Sequence, residues 1–560
     1  MGMFWKAVLR RRHMAISPNK KRYKQIGAST RRIAKERLLG NEARQSCTIA
    51  TKVLCDSVRS TLGPFGLYKM LSEEARRFEI TKDGSSVLTG LVIDHPAARL
   101  IIEMAKSIDD ETGDGTTSTI IFAGELISKA EKLMEDGLHP VSIVEGYKKA
   151  TQKASEIAEE MAQKIEGDDM FSVVAKTSLK NFATDKLAFQ VVKAIKLLGD
   201  ERDLDYVAIE GSEGKAFGDT ELIEGSLLHN WIIPGAPKRM EDARICILRN
   251  PMMINQPEFA SHINISASKI SSHLEAEEGV LRKMVEKLKE LDVNVLVSMQ
   301  DIDIRASGML SMAGITQVAK IMKYGYVKHI CLSTGANIVT NIWDLKPKDI
   351  GEAKLVEERR VSEEELIFFE FGKNPRACTF FIRGGTPNIL REHKKSIYSA
   401  LHAVSCAFDV PFVVAGGGAV EIELARRLKK FATSLNTKEQ LAVMAYAEAL
   451  EVIPRTLAQN SGLDLIDTIV ELTAKHNKDI NVGVCIQEGE TTLKNTLDME
   501  IVEPLKVKKQ MLTGAFEVSE LILLTDGILR DKMRDGEAEQ EKQKEISNRK
   551  KMEEKMEEYA

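Results

Sequence analysis

The chain changes texture twice along its length. Residues 41–165 repeat apolar side chains at helical spacing, as in Leu100, Ile101, Met104, Ala105 and Ile108, and again in Ile120, Ala123, Leu126, Ile127, Ala130 and Leu133. From about 166 to 376 short β-rich runs take over: ARICIL (243–248), NVLVSM (294–299), HICLS (329–333) and IFFEF (367–371). Helical stretches such as 277–291 and 304–323 separate them. After VPFVVAGGGAVEIELARRL (410–428) the helical texture returns and runs to about 475. This order predicts an α/β module inserted into a helical one, whose two halves must meet in space. At 560 residues the chain holds material for roughly three to five domains.

Composition narrows the function classes. The chain is 43% apolar and 29% charged with a net charge of −4, so it is not a polyelectrolyte binder of nucleic acid. No apolar run reaches the length of a membrane span. Seven scattered cysteines without a C-x-x-C pair read as reduced thiols of a cytoplasmic protein, and ten dispersed histidines suggest neither a metal site nor a triad. Residues 1–40 carry twelve Lys/Arg against one acid, Glu36. That fits an organellar presequence, a solvated arm, or an over-extended start with Met14 as initiator. The tail 531–560 is nearly all Glu, Lys, Gln, Arg and Met, too polar to form a core.

Oxygen-rich DDETGDGTTST (109–119) joins two amphipathic segments, with Thr116 to Thr119 opening the second helix. A helix start offers unpaired N–H groups that favour phosphate, and Mg²⁺ takes one or two carboxylates plus phosphate oxygens. An Asx-type turn with a threonine N-cap, common in any helical protein, is the ordinary explanation of such a stretch taken alone. EITKDGSS (79–86) places Asp83-Gly84 in a turn between short apolar runs, as a hairpin or a loop would. The GGG of 416–418, before a helix, either lets backbone approach a ligand or is a flexible connection. Neither a P-loop nor a dinucleotide fingerprint is present.

Eight segments in order resemble the group II chaperonins, the archaeal thermosome and the eukaryotic cytosolic chaperonin. They are TLGPFGLYKML (61–71), ITKDGSSVL (80–88), IDHPAARLI (93–101), GDGTTST (113–119), VEERRVSEEELIFFEFGKNPRACTFFIRGG (356–385), VVAGGGAVEIELARRL (413–428), GLDLIDTIVEL (462–472) and IVEPLKVKKQ (501–510). The resemblance covers about residues 40–530. It implies a multidomain fold with a helical equatorial domain (1–165 and 416–530), a small intermediate domain (166–226 and 377–415) and an α/β apical domain (227–376). A helical protrusion at about 252–282 would form a lid, with Phe259, Ile263, Ile265 and Ile270 capping the chamber or touching substrate. The tail 531–560 lies beyond these domains.

The implied function is ATP-dependent folding of non-native proteins by identical or paralogous subunits in two stacked rings of eight or nine. Asp114 would hold Mg²⁺ against the ATP phosphates, and Gly115, Thr116 and Thr117 would supply donors. Leu62, Gly63 and Pro64 would lie along phosphate and base, Gly417 under the nucleotide, and Asp498 by the ribose. Asp83 would help position the attacking water. Three departures qualify this. The family usually carries a catalytic Asp seventeen residues before the first glycine of GGG, where this chain has Ser399 in SIYSALHAV (396–404). Phe182 stands where the nucleotide-sensing loop has lysine, with Lys180 as a nearby substitute. EGSLLHNW (224–231) replaces a run ending in Asp-Lys. A subunit that binds ATP but hydrolyses it poorly, and a scaffold reusing the fold, are the competing readings.

Overall fold

The computed structural model describes residues 36–530 apart from 74–76, 92, 183, 200–201, 255–266, 322, 373–375 and 488–489. Five helices come first: α1 (Asn41–Arg59), α2 (Gly84–Thr89), α3 (Pro96–Thr112), α4 (Thr116–Glu135) and α5 (Pro140–Met161). In α3, Pro96 starts the helix and Ala97, Ala98, Ile101, Met104, Ala105, Ile108 and Thr112 are buried, the i, i+3, i+4 stripe of an amphipathic helix. α4 is buried on more of its circumference. Ile120, Ile121, Phe122, Ala123, Leu126, Ile127 and Ala130 are all fully inaccessible, so α4 is the central helix of this base.

α4 is covered by helices from the other end of the chain. These are α13 (Glu439–Leu450), α14 (Val452–Asn460) and α16 (Leu505–Leu523), while α12 (Ala419–Thr433) packs on α13 and α5, and α15 (Leu465–Lys475) packs on α12 and α14. One apolar core runs from Ala43 to Ala158 and resumes from Val414 to Ile528. At its centre Tyr446 meets Phe122 and Tyr147 edge-on, with ring centroids 5.3 and 5.6 Å apart. The Tyr147 hydroxyl donates to the Leu126 carbonyl at 2.9 Å, so its burial leaves no polar atom stranded. Strands Glu36–Leu39 and Gly527–Arg530 pair antiparallel, tying the two ends of the described chain together.

A second core collects α6 (Asp168–Leu179), α7 (Asp185–Leu197) and α11 (Pro387–Asp409) around a three-stranded sheet. Its strand Cys378–Gly384 lies between parallel Val207–Glu213 and antiparallel Glu221–Ile223. Beyond it stands a seven-stranded sheet with α8 (Ala267–Glu290), α9 (Ile304–Met312) and α10 (Tyr324–Thr334). The strand Arg239–Leu248 shows why it is buried on both sides. Ile245 and Ile247 face Val327 and Ile330 of α10, while Cys246 and Leu248 face Leu281, Val285 and Leu288 of α8.

Three local expectations change. HICLS lies in α10, not in a strand, because Val327, Ile330, Ser333 and Thr334 turn to the sheet at helical spacing. A short apolar run does not distinguish the two by itself. The stretch 304–323 is helical only to Met312, and Thr316–Val318 is a strand parallel to Val295–Ser298. The hairpin near ITKDGSS lies upstream, Lys69–Glu73 against Arg77–Thr81, and Asp83 caps α2 instead of turning a hairpin. Phe259, Ile263 and Ile265, the basic arm to residue 35 and the tail from 531 lie outside the described residues. Ile270 falls within α8. The seven cysteines are free thiols, and among the described residues no helix is long and apolar enough to cross a membrane.

Candidate functional site

Two helix starts meet at the top of the base. α3 ends on Gly113 in the left-handed conformation (φ 58°), its N–H bonded to the Asp109 carbonyl at 2.9 Å. Asp114 follows, and α4 begins after Gly115 (φ 78°) with no side chain capping it. The threonine-cap alternative therefore falls: the start of α4 keeps its positive dipole end and uncapped first-turn N–H groups. The Asp114 carboxylate bends over this start, its Oδ1 accepting the Gly115 N–H at 2.8 Å.

Opposite, Asp83 caps α2, its Oδ2 accepting the Ser86 N–H at 2.8 Å and the Ser86 hydroxyl at 2.5 Å. A Cβ placed on Gly84 would lie 2.6 Å from Thr117 Oγ1 and 3.1 Å from Thr117 Cα. Only glycine allows the two turns to close this far. Gly84 and Thr117 are 33 residues apart with a full helix between them, so packing of α2 and α3 on α4 sets the approach.

α14 brings in two more of the expected segments. Leu457 lies where a Cβ on Gly63 (φ 82°) would fall, and Pro454 where one on Gly418 would. Asn460 donates to the Leu62 carbonyl at 2.8 Å, and Lys82 Nζ reaches the Pro64 carbonyl at 3.5 Å. Gly417 (φ 65°) accepts the Val484 N–H at 2.8 Å, from the hairpin Val482–Gln487 and Glu490–Asn495. Thr496, just past it, donates to the Gly416 carbonyl at 3.2 Å. Asp498 is exposed and lines a cleft of about 480 Å³ with Gln163, Glu166, Asp169, Asn481 and Asn495. Under the glycine turn, Lys508 is buried between Glu421 and Glu503, with Glu503 2.7 Å away.

α11 crosses this site from the second core. Lys395 donates to Glu79 Oε1 at 2.7 Å and to the Ser86 hydroxyl. Two turns later His402 lies against Gly113, where a Cβ would come within 2.4 Å of its own Cβ. Ser399, half-buried, shares that face at i+4 from Lys395. The position where the resemblance implies a carboxylate thus lies one turn from Lys395 on α11, and it carries a hydroxyl. Phe182 packs into an aromatic group, its ring centroid 4.6 Å from His393 and 5.4 Å from Phe217. Lys180 is exposed, in a left-handed turn. His229, in the third divergent segment, sits 3.4 Å from Glu210 of the small sheet and 3.5 Å from Glu364 of the large one.

Four contributors were not assigned from the sequence. Ser86, Glu79 and Lys395 make the Asp83 corner, and Asp109 shares it. Burial pushes the Asp109 carboxyl up to about 6, helped by the charge of Asp83. Burial also raises the Glu392 carboxyl, with the charge of Asp83 adding to the rise. The D-x-x-S spacing of Asp83 and Ser86 is a capping signal. Nothing local marks Lys395, which comes from 309 residues away.

The profile of the TCP-1/cpn60 chaperonin family matches residues 54–533. The chain belongs to that family. This chaperonin chain is 41% identical over 509 residues to a thermosome subunit of Methanopyrus kandleri, covering 88% of this chain and 93% of the relative. It is 39% identical over 522 residues to a thermosome subunit of Pyrococcus horikoshii, covering 90% and 94%. It is 40% identical over 501 residues to the thermosome subunit beta of Methanothermobacter thermautotrophicus, covering 88% and 93%.

Proposed function

We propose that this chain is a group II chaperonin subunit whose Asp114 turn binds Mg-ATP and couples it to enclosure of non-native protein. The helical base would be the equatorial domain, the α6–α7–α11 core the intermediate domain, and the seven-stranded sheet the apical domain. Related subunits would assemble through such bases into stacked rings in the cytoplasm.

One observation carries the nucleotide reading: an uncapped helix start with Asp114 folded over it, touching a second helix start that holds Asp83. Among the described residues no three His, Cys, Asp or Glu are grouped to hold a metal. A cation here would share Asp114 with phosphate oxygens, the usual habit of Mg²⁺. Mg²⁺ would supply charge neutralisation along the phosphates. The N–H groups of Thr116 and Thr117 would hold phosphate oxygens, and Gly63, Pro64 and Gly417 would let the nucleotide approach backbone closely. Asp83, held on one oxygen by Ser86, would orient water with the other.

Calorimetric titration with Mg-ATP tests this. Asp114→Ala is expected to weaken binding at least about tenfold, because the one carboxylate over the α4 start is lost. Unchanged affinity would overturn the site. A pure scaffold has no use for this arrangement, so wild-type binding also excludes that reading.

A further inference from the structure

We infer that Lys395 is the positioning residue for Asp83, acting through Ser86, and is the charge by which α11 enters the site where its Ser399 lacks a carboxylate. The inference rests on the nucleotide reading above and assigns a role within the same site.

The direction of the hydrogen bonds follows from chemistry. An ammonium only donates, so the Ser86 hydroxyl accepts from Lys395 Nζ. Its single proton is then free for Asp83 Oδ2, 2.5 Å away. The Ser86 N–H donates to the same oxygen at 2.8 Å. With Oδ2 held twice, the carboxylate is fixed in rotation and Oδ1 is left for water. Without Lys395 the Ser86 hydroxyl can rotate, and one of the two restraints becomes optional.

Charge supports the same role. Asp83, Asp109, Glu79 and Glu392 crowd this corner, and Asp109 is already pushed up to about 6 by burial and by Asp83. Lys395 bonds Glu79 at 2.7 Å and opposes the upward push on both Asp109 and Glu392. It comes from α11, whereas Glu79, Asp83 and Ser86 belong to the base. Lifting α11 would therefore remove the positioning charge, so a set Asp83 also signals a docked α11.

In the step served, the water oxygen bonds to the γ-phosphorus as the bond to the β–γ bridging oxygen breaks. That electron pair leaves with ADP, and the water proton passes to Asp83 and then to phosphate or solvent.

Single-turnover ATP hydrolysis across pH, with Mg-ADP calorimetry beside it, tests the role in Lys395→Met, Lys395→Arg and Ser86→Ala. The set is repeated on a Ser399→Asp background so that a slow wild-type rate hides nothing. Lys395→Met is expected to lower the rate constant at least about tenfold with Mg-ADP affinity changed less than about threefold. Its acid limb should move to higher pH, because Asp109, already raised to about 6 by burial, loses the Lys395 charge that opposes the rise. Lys395→Arg should restore part of the rate. Ser86→Ala leaves the Lys395–Glu79 bridge standing, so it separates positioning from bridging and serves if Lys395→Met loses its fold. It should match Lys395→Met, and the double variant should add little. Wild-type rates and acid limbs in both variants, with Mg-ADP still bound, would overturn the inference alone. Wild-type chain that binds no nucleotide would overturn the site reading as well.

Discussion

Ser399 occupies a helix face already committed to the site, between Lys395 on the Asp83 corner and His402 on the Gly113 turn. A carboxylate there would need no new backbone position to approach a water that Asp83 would orient. Ser399→Asp is therefore expected to raise the steady-state ATPase rate by about tenfold or more, towards the 10²–10⁴-fold typical of a general base. No gain, with a wild-type rate like that of ordinary chaperonin subunits, would mean that positioning and charge suffice.

His229 makes a different residue-scale prediction, at the junction of two sheets. Its hydrogen bond to Glu210 raises its pKa above the usual 6.5, Glu364 adds to this, and burial and Lys323 oppose it. Burial pushes Glu210 up, but His229, Lys394 and Tyr326 hold it below the carboxylate norm. A raised histidine pKa means the contact is complete below the unfolded value and is lost as pH rises through the folded one. Hydrogen exchange in strands Val207–Glu213 and Glu364–Gly372 should accordingly quicken, beyond the intrinsic base catalysis, as pH rises above 6.5 through the raised His229 pKa. His229→Asn should remove that excess.

At the scale of elements, the α3–α4 turn and α11 are one unit. Gly113 needs φ 58°, and its missing Cβ leaves the space filled by His402. Gly113→Ala should cost about 1–2 kcal/mol for the left-handed backbone alone. Pushing His402 away adds to that, and the push is transmitted along α11 to Lys395. Thermal denaturation should show the stability loss, and hydrogen exchange should show α11 loosening before the base does. A variant as stable as wild type, with α11 equally protected, would mean the turn and the helix are not coupled. The contrast with Gly137 is informative, since nothing lies within 4 Å of a Cβ there.

Across the whole molecule, the base depends on both chain ends. Leu126 of α4 is fully buried in a core shared by residues 43–158 and 414–528. Leu126→Ala should cost about 2–5 kcal/mol, read from denaturant unfolding. A fragment ending at residue 165 should lack cooperative unfolding, because half of the surface that α4 packs on is missing. Sedimentation of the whole chain is expected to show a species several times heavier than one subunit, as its family membership implies.

The sequence alone determined the helical, α/β and helical order, the amphipathic faces of α3 and α4, and the family, through motifs that survive as short local strings. Those features are local because periodicity and turn chemistry act over a few residues. It misread HICLS, where neighbours on the sheet outweigh β propensity, and it left Asp83 in a hairpin or loop, where packing makes it a helix cap. Only the tertiary structure decided that Asp109 is buried beside Asp83, that Gly84 closes on Thr117, and that Lys395 reaches Ser86 across 309 residues. Each of these is a contact between elements, and its energy comes from burial and direct hydrogen bonding that exist only once the separate cores have docked.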